Sequence, residues 1–146
     1  MKLLTLFSAL FFSLTVSSQV RYFTPTESTE PEFKQFTFDI EPSLMSALNT
    51  ASATVAATIQ LPLPNGVAVD LRLESAPIIA PELAEKYPEI KSFRVTGDQI
   101  HGRVGWTYKG FHGILFTTNG TVYIDPASNA AGYTSYYRDD YTEHYR

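Results

Sequence analysis

Three histidines, His101, His112 and His144, are the chain's whole supply of imidazole, and there is no cysteine. A zinc protease site needs two histidines one helical turn apart with a glutamate between them, because that spacing aims both rings at one ion. None of the three belongs to such a motif. His101 falls on the polar phase of a predicted strand and His112 beside a glycine-rich turn, which points to solvent-facing or capping roles. A serine hydrolase carries its nucleophile on a strained Gly-x-Ser-x-Gly elbow. No such run occurs, and Ser128, shortly after Asp125-Pro126, has no elbow around it. Gly102-Arg103-Val104-Gly105 lacks the lysine and the following helix of a phosphate loop. The adjacent carboxylates Asp139 and Asp140 sit in a charged tail and read as a solvated cluster rather than a glycosidase pair. Asn119-Gly120-Thr121 is formally a glycosylation sequon, but its turn chemistry accounts for it. The expectation is a chain with no catalytic, cofactor-binding or metal-ligating residue of its own, and no cofactor.

Whatever the chain does must then rest on surfaces, and its patterning says what carries them. Phe36, Phe38 and Ile40 alternate with Thr37, Asp39 and Glu41, a strand with one buried face. Pro42 suits the first turn of a helix whose Leu44, Met45 and Leu48 share a side. Val55, Ala57, Ile59 and Leu61 form one strand face. After the turn signal Pro64-Asn65-Gly66, the residues Val67, Val69, Leu71 and Leu73 form the next. Pro81, with Glu82 and Glu85 behind it, opens a short helix that Pro88 stops. Strands follow at Ile90 to Val95, around Val104-Gly105-Trp106, and on either side of Asn119-Gly120, a two-residue hairpin signal. Trp106 shares a phase with Val104 and Tyr108, which predicts a core position. The fold class expected is α+β, β-dominated: a mostly antiparallel sheet of about seven strands with two short helices. No internal repeat is evident.

The two ends differ from this body. Met1-Lys2 followed by an uncharged apolar run from Leu3 to Val16, and by Ser17-Ser18, has the layout of a secretory signal peptide over residues 1–18. The run is shorter than the roughly 20 apolar residues that cross a bilayer. Residues 19–32 read as a flexible leader, 33–126 as one β-rich core, and 127–146 as a tail or junction. That last segment holds five of the nine tyrosines. Tyr133, Tyr137, Tyr141 and Tyr145 fall at helical spacing, so they would stripe a helix if one formed, whereas an extended or frayed tail would leave the spacing without meaning. The formal charge is −4. Mild acidity argues against nucleic acid and anionic membrane surfaces, which select basic patches. A secreted protein, with no membrane contact once the signal is removed, is expected.

Several phrases resemble a known family. LPLPNG at 61–66, ESAPIIAPELAEKYPEI at 74–90 with Lys91-Ser92-Phe93, GFHG at 110–113, NGTVYIDP at 119–126 and YTSYYR at 133–138 together resemble the N-terminal pro-region of bacterial secreted reprolysin-like zinc metalloproteases. The resemblance implies a signal peptide and a β-rich segment ahead of a catalytic domain, with that domain as the partner in cis. It implies a non-catalytic role: assisting folding, inhibiting, or both. The family's zinc ligands and general base have no matching positions here, so the resemblance implies either part of a longer precursor or a truncated stand-alone product. Animal relatives of this protease class often block zinc with a pro-region cysteine, a route closed to a chain without cysteine. The alternative is a stand-alone extracellular binding or adhesion module.

Overall fold

The structure, a computed structural model, describes residues 20–26, 35–52, 54–127 and 131–144, with side chains as far as Tyr141. The elements in chain order are β1 (Phe23–Pro25), β2 (Gln35–Ile40), α1 (Pro42–Thr50), β3 (Ala57–Pro62), β4 (Ala68–Ser75), α2 (Pro81–Lys86), β5 (Lys91–Gly97), β6 (Ile100–Thr107), β7 (Gly110–Thr117), β8 (Gly120–Pro126), β9 (Tyr133–Tyr137) and α3 (Arg138–His144). The expected signal peptide and most of the expected leader lie outside the described residues.

The nine strands among the described residues join one sheet in the order β1-β2-β9-β8-β7-β6-β5-β4-β3, and each of these pairings is antiparallel. The β-dominated, antiparallel class expected from the patterning holds. The element count does not: among the described residues, nine strands and three short helices replace about seven and two. Eight reversals separate the edge strands β1 and β3, so those two edges run in the same direction. The sheet curls until they almost meet. The Tyr22 hydroxyl donates to the Thr58 carbonyl across the gap at 2.9 Å. At the other end, the Phe36 ring rests on Gly66 in the β3–β4 turn, where even a methyl group would stand 3.1 Å away.

Curling puts one face of every long strand inside. Phe38, Ile59, Leu61, Leu71, Leu73, Phe93, Val95, Val104, Phe111, Leu115, Val122 and Ile124 alternate inward and form a single core with Leu44 and Leu48 of α1. Each such side chain contributes about 1.5–3 kcal/mol on burial. Aromatic rings run through this interior from β1 to β6: Phe23, Phe38, Tyr133, Phe111 and Trp106 make successive contacts with centroids 5.7–6.5 Å apart. Trp106 is half-buried and packs on the core as expected. Tyr108 does not: β6 ends at Thr107, and the ring stands 80% exposed in the turn.

Three successive hairpins, β5–β6, β6–β7 and β7–β8, turn through two residues each, closing on the pairs Gly97–Ile100, Thr107–Gly110 and Thr117–Gly120. The last two share one device. The hydroxyls of Thr107 and Thr117 accept the amides of Lys109 and Asn119 at 3.1 Å. Thr117 also donates to the Gly120 carbonyl at 2.9 Å. This device places Thr118-Asn119 in the turn, one residue earlier than the Asn119-Gly120 dipeptide predicts. It also shows that the same short phrase, Thr-x-x-Gly, closes both hairpins. Gly110 has φ of 106°, and a Cβ there would lie 2.8 Å from the Tyr133 hydroxyl, so only glycine fits.

Beyond the expected boundary at residue 126, the sheet continues. Tyr133–Tyr137 is strand β9, inserted between β2 and β8, with Tyr133, Ser135 and Tyr137 facing inward. Tyr133 and Tyr137 therefore form no helical stripe with Tyr141, which lies on α3; Tyr145 is outside the described residues. Strand pairing on both sides overrides the helical spacing. No helix among the described residues is long and apolar enough to cross a membrane.

Candidate functional site

Two places on this scaffold gather side chains able to interact. The first is the outer wall of β7, β8 and β9. His112 Nδ1 and Asp125 Oδ1 are 2.9 Å apart, and the Tyr136 hydroxyl donates to Asp125 Oδ2 at 2.7 Å. Burial, then the hydrogen bond to Asp125, then that carboxylate's charge push the Tyr136 phenol well above its usual range. A phenol so placed keeps its proton. The chain of hydrogen bonds can orient an imidazole, and it pins three neighbouring strands to each other. The Tyr136 ring lies between Tyr123 and Tyr141, at 5.9 and 5.4 Å, so this wall also clasps α3 to the sheet.

The residues singled out by type are scattered over the fold. His101 is exposed on β6 and stacks on Phe116 at 5.3 Å. His112 lies opposite Gly105 while His101 lies opposite Phe116. Four strand residues, or ~13 Å, therefore separate the two rings. Among the described residues no group of three or more histidines and carboxylates could hold a metal ion. Asp139 pairs with its neighbour Arg138 at 3.1 Å, at the start of α3. Ser128 lies outside the described residues, and nothing of the His144 side chain is described. The His112–Asp125 pair is the feature that residue-by-residue searching misses, because its members belong to different strands.

The second place is the connection between β4 and β5, an arch over residues 76–90. It leaves the sheet where the Ala76 amide bonds the Ser92 carbonyl at 2.9 Å. There the Arg103 guanidinium donates to the Ala76 carbonyl at 2.6 Å and to the Ser92 hydroxyl at 3.0 Å. The arch re-enters at Lys91, whose ammonium donates to Asn49 Oδ1 at the end of α1. Pro81 starts α2 and Pro88 closes the arch, so the sequence builds it from breakers rather than from a buried stripe. None of residues 76–90 is fully buried. Ile78, Leu83 and Tyr87 are 69%, 47% and 40% exposed. Beneath the arch lies a cleft of about 220 Å³. Leu48 and Phe93 form its core side, Ile78, Ile79, Ala84 and Ile90 its arch side, and Asn49, Ser75, Lys91 and Ser92 its polar rim.

Comparison with protein-family models, with curated proteins and with solved structures returned no match. The fold and the two places define a class no finer than a β-dominated domain: a nearly closed antiparallel sheet with an apolar interior and an outward arch.

Proposed function

We propose that this chain is a non-catalytic pro-region that assists the folding of a secreted zinc metalloprotease catalytic domain, inhibits it, or does both. The observation that carries the proposal is the arch. APELAEKYPEI, the greater part of the longest phrase in the resemblance, covers residues 80–90, and that segment puts no side chain fully into the core. A stretch that puts no side chain fully into its own core, yet leaves Ile78, Leu83 and Tyr87 exposed, is suited to bury them against something else. In this proposal the catalytic domain in cis is that surface, and inhibition is steric or through an oxygen or imidazole ligand, since no thiol exists.

The test is refolding and activity of the cognate catalytic domain with this chain added in trans. The wild-type chain raises the yield of active enzyme or lowers its turnover. A Leu83→Asp/Tyr87→Asp double variant, with an unchanged thermal midpoint, loses that effect by about tenfold or more. If wild-type and double variant act alike, the arch is not the docking element. If neither acts, the pro-region proposal fails and the binding-module alternative takes its place.

A further inference from the structure

The cleft beneath the arch has a chemistry of its own, distinct from that of the exposed Leu83 and Tyr87. Its floor is Leu48 and Phe93, both almost wholly buried, and its roof is Ile79, Ala84 and Ile90. Among the described residues no aspartate or glutamate lines it. One cation does: Lys91, which spends one of three N–H donors on the neutral amide of Asn49 and, among the described residues, pairs with no carboxylate. Behind the rim, Arg103 donates to the Ala76 carbonyl and the Ser92 hydroxyl and likewise forms no ion pair with a carboxylate among the described residues. The chain carries four more formal negative than positive charges, yet the one charged side chain among the described lining residues is positive, Lys91. An apolar recess with a single ammonium at its mouth is complementary to an apolar body ending in an anion. About 220 Å³ is the space of roughly seven waters, so the body is small.

We infer that the cleft binds a short-chain carboxylic acid, its alkyl chain against Leu48 and Phe93 and its carboxylate at the Lys91 ammonium. Lys91 supplies a point charge with free donors, and its hydrogen bond to Asn49 ties that charge to the rim. The inference goes beyond the pro-region proposal and does not depend on it.

The experiment is titration of the full chain with hexanoate, followed by the fluorescence of Trp106. That residue is the only tryptophan and lies directly opposite Lys91 on the neighbouring strand. Hexanoate produces a saturable change below about 10 mM, and hexanamide, equal in shape but uncharged, binds about tenfold more weakly. Lys91→Met removes the preference for the acid and leaves the thermal midpoint unchanged. Ala84→Phe, which fills the cleft from its arch side, abolishes both ligands. N-acetyl-leucine, which mimics a peptide carboxyl terminus, binds more weakly than hexanoate. Equal affinity for acid and amide, undiminished binding by Lys91→Met, or no saturation with hexanoate would each overturn the inference. Tighter binding of N-acetyl-leucine would overturn the free acid in favour of a peptide end.

Discussion

The wall from β5 to β8 and the arch from Ala76 to Ile90 treat apolar residues in opposite ways. In the wall, strands of seven or eight residues turn back through two-residue hairpins, and every fully buried position takes its place by alternation. In the arch, isoleucine, leucine and tyrosine appear without any period that would bury them, and α2 has no buried residue. The wall's sequence is explained by the fold it makes. The arch's sequence is not, and apolar side chains that the fold leaves unused are where interaction should be sought.

The comparison breaks most easily at its strongest claim. Phe111→Ala empties a fully buried ring site that touches Tyr133 and Trp106, and should lower unfolding free energy by about 3–5 kcal/mol. Leu83→Asp on the arch should change it by no more than about 0.5 kcal/mol. Denaturant unfolding of both variants checks the contrast, and a comparable loss from each would make the arch part of the core. Next in size is Gly110→Ala. It forces a side chain into a left-handed backbone and against the Tyr133 hydroxyl, at a cost of about 1–3 kcal/mol in the same assay.

A smaller effect sharpens the picture of the wall's outer side. Tyr136→Phe removes the hydrogen bond to Asp125 but keeps the ring between Tyr123 and Tyr141, so about 1–2 kcal/mol should be lost near neutral pH. The pH dependence has a definite sign. Folding raises the Tyr136 phenol, so its contribution is complete below the unfolded value of about 10 and declines as pH rises above it. The gap between wild type and Tyr136→Phe should therefore narrow above about pH 10. A gap that stays constant into strong alkali would mean the phenol is not held by Asp125.

These same regions show what sequence reading reaches. The β3–β4 hairpin is legible because Ile59, Leu61, Leu71 and Leu73 alternate on both sides of a clear turn, and α1 because Pro42, Leu44 and Leu48 mark its start and its face. Strand β1 has three residues and owes its state to the neighbouring edge of β2, so no local pattern announces it. Strand β9 hides because tyrosines occupy both of its faces and a serine takes a buried position, which flattens the alternation. The His112–Asp125 pair hides behind a register. Closing the hairpin on Thr117 and Gly120 sets His112 against Asp125, whereas a turn centred on Asn119-Gly120 would set it against Ala127. The cleft joins α1, the arch and β5, and such long-range assembly has no one-dimensional signature.

That serine gives the smallest and most discriminating test. Ser135 is 0% exposed on β9, paired with Phe36 on one side and Ile124 on the other, and its hydroxyl has no hydrogen-bond partner among the described residues. A buried, unsatisfied hydroxyl costs free energy that a methyl group of nearly the same volume does not. If the interior is shaped by packing alone, Ser135→Ala should raise stability by about 1 kcal/mol, seen as a higher denaturant midpoint at unchanged slope. The gain is expected because removing the oxygen leaves only a very small void between Phe36 and Ile124, while the desolvated dipole disappears. A loss of about 1 kcal/mol instead would show that the hydroxyl is satisfied in solution. The interior would then contain a polar specification of its own, and the contrast with the arch would no longer be between packing and its absence.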